Sequence, residues 1–309
     1  MSLIVSLVLI VFGLMWPATA AFAQPEAKGV FDRISGHIKE ANWEFDWELK
    51  DDSGVELYNI DYKGERVIYK VSLPVIRVKY IKDEPALVPF PLQREGCGPY
   101  QDRLTVDHLL DIQKCEDNKV CRKSYTLGSD QWVEIGIFAR IGEYRIYQAW
   151  YLNDKGYLGA KVWSHGLSCY TDHIHHAYWR LHFGDPKTQV YPEPDNTLYT
   201  KETEDTKSAA KQYWVVQGNA RKRKIVVIPG AQDGNADAFS SLDIALRRYD
   251  PTEDEPWPFG TGPLGYRQFT EDINNKDVVF WYVAHLPHSA SEGPEQWKGV
   301  GPWIYVDPH

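Results

Sequence analysis

The chain has 309 residues, 43% hydrophobic and 14% aromatic, and a formal net charge of −9. That length allows one large domain or two small ones. The charge argues against a broad phosphate-binding surface, and so against a nucleic-acid partner, and mildly favours cationic small molecules.

Residues 1–23 read as an address. An apolar run from Leu3 to Met15 is followed by Pro17 and by Ala21-Phe22-Ala23, the small-x-small pattern of a signal-peptidase site. The rival, an uncleaved anchor, needs a longer and unbroken apolar span. The expectation is a secreted or periplasmic mature chain, residues 24–309, forming a single domain with no stable membrane anchor after cleavage. Four cysteines, Cys97, Cys115, Cys121 and Cys169, suit pairing in an oxidising compartment, with three connectivities open. None lies in a C-x-x-C pair, which disfavours a thiolate zinc site.

From Asn42 to Tyr80 short strand-like runs alternate with turns, as at Lys63-Gly64-Glu65. Val67, Tyr69 and Val71 interleave with Arg66, Ile68 and Lys70 in the period of a strand. Asp83 to Pro91 reads as a loop and Val106 to Gln113 as a short helix. The strand pattern resumes from Gln131 to Trp163, with Asn153-Asp154-Lys155-Gly156 as a hairpin signal. Lys201 to Gln212 predicts an exposed loop or surface helix. Arg221 to Lys224 is a basic run between two apolar runs, and predicts a solvated hairpin turn. Ala236 to Pro256 ends in an acidic loop, and Asp277 to His288 is the last clear strand. Short strands, 12 Trp, 19 Tyr and few helical patterns predict an all-β chain, a large antiparallel β-sandwich.

The chemistry concentrates in Thr171 to Leu181, where three of four residues are His173, His175 and His176. Side chains two apart on a strand share a face, so His173 and His175 can converge on one metal ion. The C-terminal strand offers His285 and His288 as a third ligand. An all-imidazole site suits copper or zinc. Zinc would imply an activated water and hydrolysis, copper redox work. Tyr144, on a strand upstream, is a residue that copper could oxidise.

These residues resemble the copper-containing amine oxidases, which make a topaquinone cofactor from one of their own tyrosines. Ala139-Arg-Ile-Gly-Glu-Tyr144-Arg-Ile-Tyr147 is similar to the family's T-[VI]-G-N-Y-[DE]-Y strand, with Tyr144 at the quinone position. His173, His175, Arg180 and Leu181 fit its H-x-H-x-x-x-x-R-L. Asp277, Trp281 and His288 fit N-x-D-x-V-x-W-x-x-x-G-x-x-H, in which His285 falls at a glycine. Tyr69 to Glu84 resembles Y-x-x-S-L-x-x-M-x-V-P-Y-G-D. The resemblance implies the family's catalytic β-sandwich, without its extra N-terminal domains, over most of residues 55–305. It implies copper on His173, His175 and His288 and a quinone from Tyr144. Tyr69 would hydrogen-bond the quinone, and Tyr80 would be a gate-like residue of the substrate channel. The family's catalytic aspartate would come two residues after Tyr80, where Lys82 stands; Asp83 is the candidate base through a one-residue bulge.

The implied reaction takes a small-molecule primary amine and O2 to an aldehyde, ammonia and peroxide. The resemblance also implies a possible homodimer. Cys97 with Cys121 would echo the family's disulfide, with Cys115 an equal rival. Glu143 and Arg145 replace an Asn and an acid beside the quinone tyrosine. His182 and Gly184 replace carboxylates of the family's peripheral calcium site, although Asp277 remains, so calcium is expected to be absent. The alternatives are a copper-binding pseudoenzyme of the same fold without quinone, a zinc hydrolase on the same three histidines, or a β-sandwich binding module.

Overall fold

Alternation of apolar and polar residues builds the first strands. In Trp43–Lys50 the side chains of Trp43, Phe45, Trp47 and Leu49 are buried, and those of Glu44, Asp46, Glu48 and Lys50 face outward. The structure is a computed structural model that describes residues 35–80, 100–105, 108–109, 119–169, 171–208, 212–218, 222–251, 270–292 and 296–307. Asp83, the loop predicted from Asp83 to Pro91, the N-terminal address, Cys97 and Cys115 lie outside them.

The strands in chain order are β1 (Ser35–Glu40), β2 (Trp43–Lys50), β3 (Gly54–Tyr62), β4 (Glu65–Val78), β5 (Tyr100–Asp102) and β6 (Val120–Leu127). They continue as β7 (Asp130–Ile141), β8 (Tyr144–Asn153), β9 (Tyr157–His165), β10 (His173–His182), β11 (Thr188–Glu193) and β12 (Thr203–Asp205). The last are β13 (Tyr213–Gly218), β14 (Ile225–Ile228), β15 (Ile244–Arg248), β16 (Val278–His288), β17 (Lys298–Val300) and β18 (Trp303–Val306). No α-helix occurs among the described residues.

Two sheets of nine strands face one another. One runs β1-β2-β3-β4-β10-β16-β15-β12, with β5 on β4; the other runs β11-β13-β14-β18-β9-β8-β7-β6, with β17 on β9. The pairings within both are antiparallel, so the predicted antiparallel sandwich is the observed architecture. The core fills the gap between them: Val71 and Leu73 of β4, Ala177, Trp179 and Leu181 of β10, and Ala284 and Leu286 of β16 meet Ile135 and Ile137 of β7 and Trp150 and Leu152 of β8. Trp150 and Trp179 touch edge to face across the gap, with centroids 5.2 Å apart. Polar bonds fix the same interface. Gln148 accepts from Val55 N at 2.8 Å and donates to Ser53 O at 3.0 Å, and Trp150 Nε1 donates to Val55 O at 2.7 Å. Gly54 has a φ of +68°, and a Cβ there would stand 2.1 Å from Gln148 Oε1, so only glycine fits.

The turn at Lys63-Gly64 joins β3 to β4, the Asp154-Lys155-Gly156 turn joins β8 to β9, and β13 pairs with β14 across the basic run, as expected. Two expectations change. The segment predicted as loop or surface helix from Lys201 contains β12, which pairs with β15, itself inside the stretch from Ala236 to Pro256. Both are too short, at three and five residues, to show a period. Of the helix expected from Val106 to Gln113, only His108 and Leu109 are described, and Leu109 bridges to Ala139.

Candidate metal centre

The central strands β10 and β16 run antiparallel with His173 directly opposite His288 and His175 opposite Leu286. Strand alternation sends His173, His175 and His288 to the inner face, at the end of the sandwich where β10 begins and β16 finishes. All three are buried. They offer one nitrogen each, all within 4.8 Å of one another. Metal–nitrogen bonds of about 2.0–2.1 Å span at most about 4.2 Å across one ion, so closure takes a shift of under about 1 Å. The rings pack as a triangle, with His173 stacked on His288 at 5.2 Å and His175 5.0 Å from each.

Hydrogen-bond bookkeeping leaves this triangle short of partners. Thr171 O can only accept, so His173 Nδ1, 2.7 Å away, carries the hydrogen and Nε2 keeps its lone pair. His175 Nε2 and His288 Nε2 are buried with no hydrogen-bond partner. Buried nitrogens left unpaired are costly, and a metal ion would satisfy them. Burial holds all three imidazoles below their ordinary pKa, His288 at about 3 and His175 further lowered by its histidine neighbours, so they stay neutral and ready to ligate. The donor set fits copper or zinc.

Tyr144 enters from the facing sheet as the first residue of β8. Its hydroxyl donates to His173 Nε2 at 2.8 Å and accepts from Ser168 N at 2.9 Å. Its ring lies 4.7 Å from His175 and 5.6 Å from His288. Burial raises the Tyr144 phenol, partly offset by the Ser168 N–H and by Tyr80. The 166–169 loop can close over Tyr144 because Gly166, at φ +133°, would place any Cβ 2.5 Å from Glu143 O. Cys169 at its end is disulfide-bonded, as is Cys121. Glu143 and Arg145 are exposed and point away from the triangle.

Tyr80 belongs to the site. Its ring is 4.5 Å from His173 and stacks on Tyr144 at 6.4 Å, and burial drives its phenol far up. Tyr69 does not belong there. It is 44% exposed and packs edge-on against His182, 5.2 Å away, over Gly184. The reason is the length of β4, which puts Tyr69 about 30 Å along the strand from Val78 at about 3.3 Å per residue. His182 Nε2 meets Asp277 Oδ2 at 2.9 Å and stacks on Tyr249 at 3.9 Å.

A carboxylate that the sequence reading passed over does reach the centre. Asp102 ends β5, paired with Ile76 of β4, and its charge acts on both Tyr80 and Tyr144. Burial pushes it up to about 6, against a smaller opposing effect of His108. Tyr100, two residues earlier, packs edge-on to Tyr80 at 6.1 Å. The signal was present: Pro99-Tyr100-Gln101-Asp102 repeats the P-Y-x-D spacing sought at Tyr80.

No family model matches the chain, and no curated protein is recognisably related to it by sequence. Solved structures are similar in fold. The amine oxidase of Aspergillus nidulans superposes with a TM-score of 0.67 at 13% identity, over 96% of this chain and 54% of that one. A copper-containing benzylamine oxidase from Hansenula polymorpha gives 0.64 at 14%, over 91% and 60%, and a lysyl oxidase from Pichia pastoris 0.63 at 13%, over 94% and 55%. The chain thus spans little more than half the length of these proteins, and at such identity the likeness is one of fold.

Proposed function

We propose that the chain is an exported, copper-dependent oxidase of primary amines, with copper held by His173, His175 and His288. One observation carries the reading: three neutral, buried imidazoles, two with unpartnered Nε2 atoms, pack around Tyr144, whose hydroxyl bonds one of them. Fold likeness to copper-containing oxidases favours copper over zinc. Copper bound there would supply redox chemistry with O2, oxidising Tyr144 to the quinone that accepts the substrate amine.

The chain's own groups divide the remaining work. Ser168 N–H and Tyr80 hold the Tyr144 ring by its hydroxyl and its face. Asp102 replaces Asp83 as the base, removing the proton on the carbon next to the amine nitrogen; at about 6, its carboxyl is mostly ionised at neutral pH and still basic enough to accept a proton. Tyr100 flanks the approach. The overall reaction, RCH2NH2 + O2 + H2O giving RCHO + NH3 + H2O2, is tested by oxygen uptake of the copper-loaded chain with a panel of primary amines. Equal ammonia and peroxide are expected; copper bound with no uptake from any amine would leave a copper-binding protein without turnover. Tyr144→Phe is expected to bind copper with affinity within a few-fold of the wild type and to consume no oxygen.

A further inference from the structure

The outer face of the ligand-bearing strands holds a second histidine pair that amine oxidation does not use. His176 and His285 are cross-strand partners on β10 and β16, three rungs in from His173 and His288, and both are fully buried. Their Nδ1 atoms lie 2.8 Å apart, so one hydrogen stands between the two rings. Asp243 Oδ1 takes the hydrogen of His285 Nε2 at 2.8 Å, which leaves His285 Nδ1 to accept from His176 Nδ1–H, and Asp237 Oδ1 faces the other His176 nitrogen, Nε2, at 3.3 Å. Asp243 is anchored in turn by Lys207 N at 2.9 Å, and Lys207 Nζ bonds Val283 O at 2.6 Å and Asp233 at 3.1 Å. The pair therefore ties β10 to β16 and both to the segment that covers this face.

The ladder between the two strands ends at the rung formed by the ligands His173 and His288. Strand ends are where pairing opens most readily. Asp172 Oδ1 clasps the outer side of that rung through Ser289 Oγ at 3.2 Å and Ala290 N at 2.8 Å. The histidine pair clasps the inner side. A pair of aliphatic residues would fill the same space without directional restraint, whereas a hydrogen bond fixes distance and angle.

We propose that His176 and His285 are positioning residues, a cross-strand strut that holds His173 and His288 at the separation needed to close on one ion. This inference rests on the copper assignment for the histidine triangle. It is tested on the full chain with His285→Phe, His176→Phe, the double variant and His285→Gln. Cu(II) affinity is measured by chelator competition, copper geometry by electron paramagnetic resonance, and apo-protein stability by thermal melting. Each Phe variant should weaken Cu(II) about tenfold and alter the spectrum, as loss of groups that support metal ligands does. The double variant should lose no more than either single one, because both remove the same bond. His285→Gln should restore affinity and spectrum, since its amide can accept from His176 and donate to Asp243. Lower melting temperatures with unchanged affinity and spectrum, or additive losses in the double variant, would overturn the proposal. A wild-type chain that binds no copper would instead contradict the copper assignment, and the inference with it.

Discussion

His288→Ala is expected to weaken Cu(II) binding by more than about 100-fold. Changes to groups that merely support a metal ligand cost about 10–100-fold, and removal of one ligand of three must exceed that. The variant should still fold. His288 sits on the terminal rung of its strand pair, its Nε2 makes no hydrogen bond, and removing it relieves the burial of an unpaired polar atom. Isothermal titration of the apo-protein with Cu(II) checks the effect. Equivalent loss from His285→Ala with none from His288→Ala would reverse the assignment, although His285 is turned to the opposite face against His176 and Asp243.

Asp102→Asn is expected to lower kcat/KM for amine oxidation by about 10²–10⁴, the usual contribution of a positioned general base. The amide fills the same space, so copper binding should be kept. The sign of the pH dependence follows from the raised carboxyl. Asp102 works as a base only when ionised, so wild-type activity should fall as the pH drops through about 6, and that limb should vanish in the variant. Asp83→Asn serves as the control, and full loss there with none at Asp102 would return the role to Asp83.

Period-two alternation made much of the site legible. His173 and His175 are a same-face pair whatever sheet they join, and the apolar runs with turn residues between them announced the sandwich. The third ligand was harder, since both His285 and His288 lie on β16; only the register, which pairs His288 with His173, separates them physically. Tyr69 failed because spacing within a motif says nothing of how far a strand runs before it turns. With β4 extending from Glu65 to Val78, its start and its end cannot serve one site. Asp83 lies outside the described residues, and Asp102 was passed over for a related reason: residues 81–99 separate Tyr80 from the Tyr100-x-Asp102 pair, and β5 brings that pair back beside β4. His176 and His182 gave no sign of their burial, which arises because residues such as Asp243 and Tyr249 cover the outer face of β16 and β10. That covering comes from segments remote in sequence and leaves no local pattern.

The central claim is that copper held by His173, His175 and His288 acts on Tyr144. Its most direct test is to express the chain without metal, add Cu(II) in air, and weigh the tryptic peptide from Ile141 to Arg145. The account predicts a gain of two oxygens less two hydrogens on Tyr144, dependent on copper. An unchanged peptide mass with copper bound at the three histidines would contradict it.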